Sequence, residues 1–281
     1  MKNMKLYLGF SAMLILLLIA DTAFAQWGRG VKGNGNIAKK ECKVDDFSEI
    51  ELNCSADLYI TQGSNNKVVV EADENLIDMI ETRVSGQTLK IDIDGRISRS
   101  TKLDVHVTVA ELHRLQVNGS GDVESENTVS GIGLEVNVNG SGNIEMDLDV
   151  KNVDSRINGS GDIELSGVSG DFSLKVNGSG TFEGEDMRLN VCKISVMGSG
   201  DVEMSGSASE VEITQSASGD INLYNLRAEN VIARGSGSGD MVVTVSGNLK
   251  VKLNGSGDLT YKGEPKMVDV SSSGSGDVYH R

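Results

Sequence analysis

Carboxylates recur at a fixed period in this 281-residue chain, and their spacing limits the chemistry open to them. The tetrad Gly-Ser-Gly-Asp, or a near variant, occurs nine times. Its last residue falls at Asp122, Asn143, Asp162, Thr181, Asp201, Asp220, Asp240, Asp258 and Asp277. A repeat of this size marks a solenoid, in which each unit buries its apolar face only against its neighbours. Equivalent residues of successive coils then stack about 4.8 Å apart, and like charges that close repel. Asn143 and Thr181 relieve two positions, but Asp201, Asp220, Asp240, Asp258 and Asp277 run unbroken. Two readings are open. Each Asp caps backbone amides at its corner, as Asp does in turns. Alternatively the row collects divalent cations, calcium above all, with Ser and Asn oxygens helping; the five unbroken aspartates are then the metal ligands. The calcium-binding nonapeptide repeat has half this period, so its pattern does not match.

The elements that must position such a row are strands. In residues 162–180 (DIELSGVSGDFSLKVNGSG) Ile163 and Leu165 alternate with polar residues, and so do Phe172, Leu174 and Val176. Period-two alternation in runs this short means strands with one buried face. The residue after each Asp position is apolar in every repeat, from Val123 and Ile144 through Phe182 to Val278. A second apolar column runs Leu134, Val153, Phe172, Cys192, Val211, Val231, Leu249 and Val268. The fold class read from this is all-β: a β-helix-like solenoid of about nine 19–20-residue coils with GSGD corners. Parity through the corner points Gly159 and Gly161 inward and Asn158, Ser160 and Asp162 outward. The inward glycines leave room for the turn and permit positive φ. The outward residues form ladders, one of them running through Asn118, Asn139, Asn158, Asn177 and Asn254, with Met197, Ser216, Ser236 and Ser273 interrupting.

Composition narrows the partners. The net charge is -15 and aromatics make up 4% of the chain. An acidic surface repels nucleic acid, and there is no stacking platform for bases. Residues 1–25 read as a signal peptide: Lys2 and Lys5, an apolar run from Leu6 to Ala20, and the cleavage site Ala23-Phe24-Ala25. The expected location is therefore exported: periplasm, outer-membrane surface or extracellular. Cys42, Cys54 and Cys192 are an odd set, with Cys42 and Cys54 available to bridge in an oxidising compartment and Cys192 in a core column. His106, His113 and His280 are scattered and read as surface or strand residues.

Residues 26–40 (QWGRGVKGNGNIAKK in the sequence) are Gly-rich and polar and read as a flexible segment. Residues 41–117 read as an irregular β segment capping the regular repeats of 118–281. Within it, Leu58–Thr61 and Lys67–Ala72 flank a hairpin loop, residues 74–80 (ENLIDMI) form one helical turn, and 53–57 (NCSAD) is a degenerate corner. Gly33-Asn34-Gly35-Asn36, residues 47–51, 58–63 (LYITQG), 69–77 (VVEADENLI) and 86–91, and the closing 273–278 resemble the head GIN domain of auto-transporter adhesins. The resemblance covers nearly all of the chain after residue 25. It implies an exported β-solenoid of a Bacteroidetes-like bacterium, and it brings no catalytic or cofactor-binding residues with it.

Three function classes follow. The first is a non-catalytic surface or periplasmic binding and adhesion module, presenting a repeat scaffold to an extended polysaccharide or a surface protein. The second is a passive envelope structural protein. The third is a polysaccharide-cleaving β-helix enzyme, which needs clustered carboxylates or a base beside a metal. Residues that break the repeat are few (Arg156, Tyr224, Arg227, Arg234 and Tyr261) and pair into no acid and base, so the reading is not an enzyme. The final coil, 273–278, is followed only by Tyr279-His280-Arg281, and its uncovered edge predicts self-association or partner docking.

Overall fold

The computed structural model describes residues 30–281; the expected signal peptide, residues 1–25, lies outside them. The first part of the chain contributes β1 (Val31–Lys32), β2 (Ile37–Cys42), β3 (Glu49–Leu52), β4 (Asp57–Gln62) and β5 (Lys67–Asp73). After a single 3-10 turn at Ile77–Met79 come β6 (Ile80–Ser85), β7 (Thr88–Ile93), β8 (Ile97–Arg99), β9 (Leu103–Val109) and β10 (Arg114–Val117). The repeats follow as β11 (Val123–Ser125), β12 (Val129–Val138), β13 (Ile144–Ile157), β14 (Ile163–Ser166), β15 (Ser169–Val176), β16 (Phe182–Val196) and β17 (Val202–Gln215). The chain closes with β18 (Ile221–Gly235), β19 (Met241–Leu253), β20 (Leu259–Lys262), β21 (Met267–Ser272) and β22 (Val278–His280). The result is an all-β solenoid of about nine turns.

Every strand from β10 onward pairs in parallel with the strand one coil away, and equivalent residues meet in register: Ile163 with Phe182, Phe182 with Val202, Phe172 with Cys192, Cys192 with Val211. This stacks the apolar columns. Phe172, Phe182, Ile144, Met146, Val176 and Cys192 are all essentially inaccessible to solvent. The two phenylalanines come from different columns and meet across the core, with ring centroids 5.2 Å apart. Gly184 makes space for this pair: a Cβ there would lie 3.0 Å from Phe182 and 2.8 Å from Met187. Burial takes the Cys192 thiol up to about 12 and the Cys54 thiol up to about 11, and neither is oxidised; Cys42, Cys54 and Cys192 are all free thiols, so Cys42 and Cys54 are not bridged.

The N-terminal end is closed by antiparallel strands. β9 runs parallel to β4 and antiparallel to β5, and β2 lies antiparallel on the far side of β5. The expected β4–β5 hairpin is therefore opened: β9 inserts between the two strands. β6 and β7 do form a hairpin, turning at Gly86 with φ of 66°. The stretch expected to be flexible contains β1 and most of β2. Asp73 holds this segment down. Its buried carboxylate accepts the amides of Gly35 and Thr101, each at 2.6 Å, which sets its titration below the usual Asp value through the Thr101 amide first.

Candidate functional site

The corners deliver the inward and outward pattern read from the sequence. Gly161 is buried and Gly159 half-buried, while Asn158, Ser160 and Asp162 are exposed. The reason for glycine is different from one part of the expectation: none of the corner glycines has positive φ. They are required by coil stacking. A Cβ on Gly159 would collide with the carbonyl oxygen of Gly140, and one on Gly178 with that of Gly159.

The amide ladder is continuous over its first stretch. Asn118, Asn139, Asn158 and Asn177 each donate Nδ2 to the preceding side-chain oxygen at 2.7–2.8 Å, the chain of bonds beginning at Asn53. Met197 breaks it, and Ser236 and Ser273 resume it with hydroxyl bonds to Ser216 and Asn254.

The aspartate ladder is held by the backbone. The Asp220 amide donates to Asp201 Oδ1 at 2.7 Å, Asp240 to Asp220 at 2.7 Å, Asp258 to Asp240 at 2.8 Å and Asp277 to Asp258 at 2.8 Å. The same bond joins Asp162 to Asn143 and Asp122 to Asp57, so the degenerate corner 53–57 heads the row. Among the described residues the second carboxylate oxygen of Asp201, Asp220, Asp240 and Asp258 accepts no hydrogen bond, while that of Asp277 accepts the Tyr279 hydroxyl at 3.4 Å.

A second acidic row, not recognised in the sequence, runs two residues beyond each corner: Glu124, Glu145, Glu164, Glu183 and Glu203, in register across β11, β13, β14, β16 and β17. Its signal was present, since the slot after the apolar column is Glu in five successive coils. Among the described residues Glu124, Glu145, Glu164 and Glu183 form no hydrogen bond or ion pair. Desolvation, and then the charges of Glu145 and Glu183, push Glu164 above the usual carboxylate range. With Asp57, Tyr59, Asp122 and Asp162 the first part of the row lines a shallow groove of about 370 Å³. On the other long sheet Arg156, Lys175, Arg234 and Lys252 lie in one outward column, and the next column mixes Lys193 and Lys250 with Glu135, Asp154, Glu212 and Asp269.

Repeat-breaking residues are engaged locally and do not converge. Arg156 pairs with Glu135 at 2.6 Å and Asp154 at 3.3 Å, and Arg234 with Glu212 at 2.6 Å. Tyr224 accepts a bond from Lys262, which lowers its titration, and Tyr261 stacks on His280. Arg227 stands in register with Ser207 and Thr244. No acid and base face each other among them.

The family model described as "Putative auto-transporter adhesin, head GIN domain" matches residues 46–205 and 197–265. The chain belongs to this family. Solved structures share the fold of this head GIN domain. A putative adhesin from Parabacteroides merdae is 23% identical, with 90% of this chain and 99% of that one covered and a TM-score of 0.65. A putative adhesin from Parabacteroides distasonis is 24% identical, with 90% and 100% covered and a TM-score of 0.70. A structure from the same organism, titled as a putative lipid binding protein, is 26% identical, with 90% and 100% covered and a TM-score of 0.64. No curated protein matches the chain.

Proposed function

We propose that this head GIN domain is an exported, non-catalytic binding or adhesion module that receives an extended polysaccharide or a surface protein across its coils. The glutamate row carries this reading. Like charges directly opposite on neighbouring strands destabilise a sheet, and Glu124, Glu145, Glu164 and Glu183 gain no partner from the chain in return. Their acceptor capacity points outward, at one-coil spacing, toward donors on something that lies along the axis. Membership of an adhesin family supports binding over catalysis and a surface or exported location over an internal one. The neighbours titled as adhesins and as a lipid binding protein support a binding role in general terms.

The test is binding to a glycan array and to intact bacterial surfaces, with and without calcium, by wild type and by Glu145→Gln/Glu164→Gln/Glu183→Gln. The expected result is a ligand whose affinity falls about tenfold or more in the triple variant, the loss of one or more charge-assisted hydrogen bonds. Failure of the wild type to bind either target would favour the passive envelope role. Turnover of a bound glycan would assign an enzyme instead.

A further inference from the structure

The N-terminal cap holds a mixed-donor cluster that neither the corner ladder nor the glutamate row includes. In the antiparallel pair of β5 and β9, Glu71 stands opposite Asp104 and Val69 opposite His106. Asp104 and His106 are two residues apart on one strand, so their side chains share a face. One oxygen of Glu71, one of Asp104 and one ring nitrogen of His106 all lie within 4.8 Å of one another.

Three further observations bear on this cluster. Nε2 of His106 is buried and forms no hydrogen bond, although Glu71 Oε2 is 3.4 Å away. The imidazole is fixed by stacking on Tyr59, with centroids 5.0 Å apart and planes 19° from parallel. A cation already stands between the carboxylates: Lys102 Nζ is 2.9 Å from Glu71 Oε2 and 3.2 Å from Asp104 Oδ2, while the exposed Lys39 Nζ lies 3.4 Å from the same Glu71 oxygen. Lys102 is half-exposed, on a flexible stem that can swing to solvent.

We propose that Glu71, Asp104 and His106 form a divalent transition-metal site of the zinc class, with the Lys102 ammonium holding the place when metal is absent. The donor set selects the metal. Calcium and magnesium take oxygen ligands, whereas an imidazole nitrogen beside carboxylates suits zinc, cobalt or nickel. Three protein donors leave the remaining position to water. The site is separate from the unbroken aspartates Asp201 to Asp277, which offer oxygen only.

Calorimetry on the full chain with zinc chloride, and visible absorption with cobalt chloride, test this. One metal ion per chain is expected. Lys102→Met removes the one competing charge that bridges both carboxylates and should tighten binding about tenfold, while His106→Ala should weaken it by about tenfold or more. His113→Ala and His280→Ala serve as controls and should bind as wild type. Should His106→Ala unfold, the near-isosteric Glu71→Gln gives the same expected loss. Absence of saturable zinc binding in both wild type and Lys102→Met would overturn the assignment, as would binding that survives His106→Ala in a folded protein. Because the readout is metal binding alone, it is independent of whether a glycan binds the glutamate row.

Discussion

The amide of Asp220 donates to Oδ1 of Asp201 at 2.7 Å, which makes the aspartate ladder part of the backbone bonding of the solenoid. Asn143 accepts the Asp162 amide in the same way at 2.9 Å, so the bond needs an oxygen rather than a charge. Asp220→Asn should therefore leave the melting temperature unchanged or raise it, by relieving repulsion. Asp220→Ala should cost about 0.5–1.5 kcal/mol, the net value of a hydrogen bond. Thermal melts of the two variants decide this. If millimolar calcium raises the wild-type melt and Asp201→Asn/Asp220→Asn/Asp240→Asn/Asp258→Asn abolishes the rise, the row binds cations as well as capping amides.

Gly159→Ala and Gly159→Val should both be severely destabilising, by about 3 kcal/mol or more, since even a Cβ meets the Gly140 carbonyl of the coil below. Ser160→Ala, on the exposed side of the same corner, should stay within about 0.5 kcal/mol. Denaturant titration of the three variants measures the difference. A wild-type-like midpoint for Gly159→Ala would mean that the coils are not stacked this closely.

Phe172→Ala should cost on the order of 3–5 kcal/mol, because it empties a core column and removes the partner of Phe182. Lys175→Ala, three residues along and on the outward face, should cost about 0.5 kcal/mol or less. Equal losses would reverse the assignment of the two faces of β15.

Glu164 gives the protein a pH signature of unusual sign. Its folded-state titration lies above the ordinary glutamate value, through desolvation first and then the charges of Glu145 and Glu183. Between the unfolded and folded values the folded chain binds the extra proton, so this group stabilises as pH falls and destabilises as pH rises. Glu164→Gln should melt higher than wild type at pH 7, and the gap should close as the pH drops toward 4.5. A gap that widens on acidification would show that Glu164 is paired rather than crowded.

Most of the repeat was legible because a solenoid writes its contacts into its period. Ile163, Phe182 and Val202 occupy one sequence slot and one spatial column, so the pattern and the structure are the same information. The cap was not legible in this way. Its strands pair antiparallel and out of period, and nothing in the local pattern of Lys67–Ala72 tells that β9 lies between it and β4. The cluster of Glu71, Asp104 and His106 went unseen for the same reason: its residues are 33 and 35 positions apart in sequence and meet only through that insertion. The glutamate row was missed for the opposite reason, since a residue repeated in five successive coils reads as part of the coil.

The last coil leaves apolar side chains in water. Met267 is 58% exposed, Val268 42% and Val270 45%, although Val268 and Val270 belong to columns whose earlier members are buried. Among the described residues β21 pairs with β19 on one side and with no strand on the other. Open strand edges of this kind template pairing with another chain. The opposite end of the molecule does not fit such an edge, because it is finished by antiparallel strands bearing Lys39, Lys40, Glu41, Glu81 and Arg83. The surface that matches is the same apolar edge in a second copy, related by a two-fold axis that sets β21 antiparallel to its mate. Sedimentation of this chain should show a concentration-dependent dimer, and Val268→Lys/Val270→Lys should be monomeric while keeping the wild-type strand signal in circular dichroism. A wild type that stays monomeric at high concentration, or a dimer that persists in the double-lysine variant, would show that this edge does not pair.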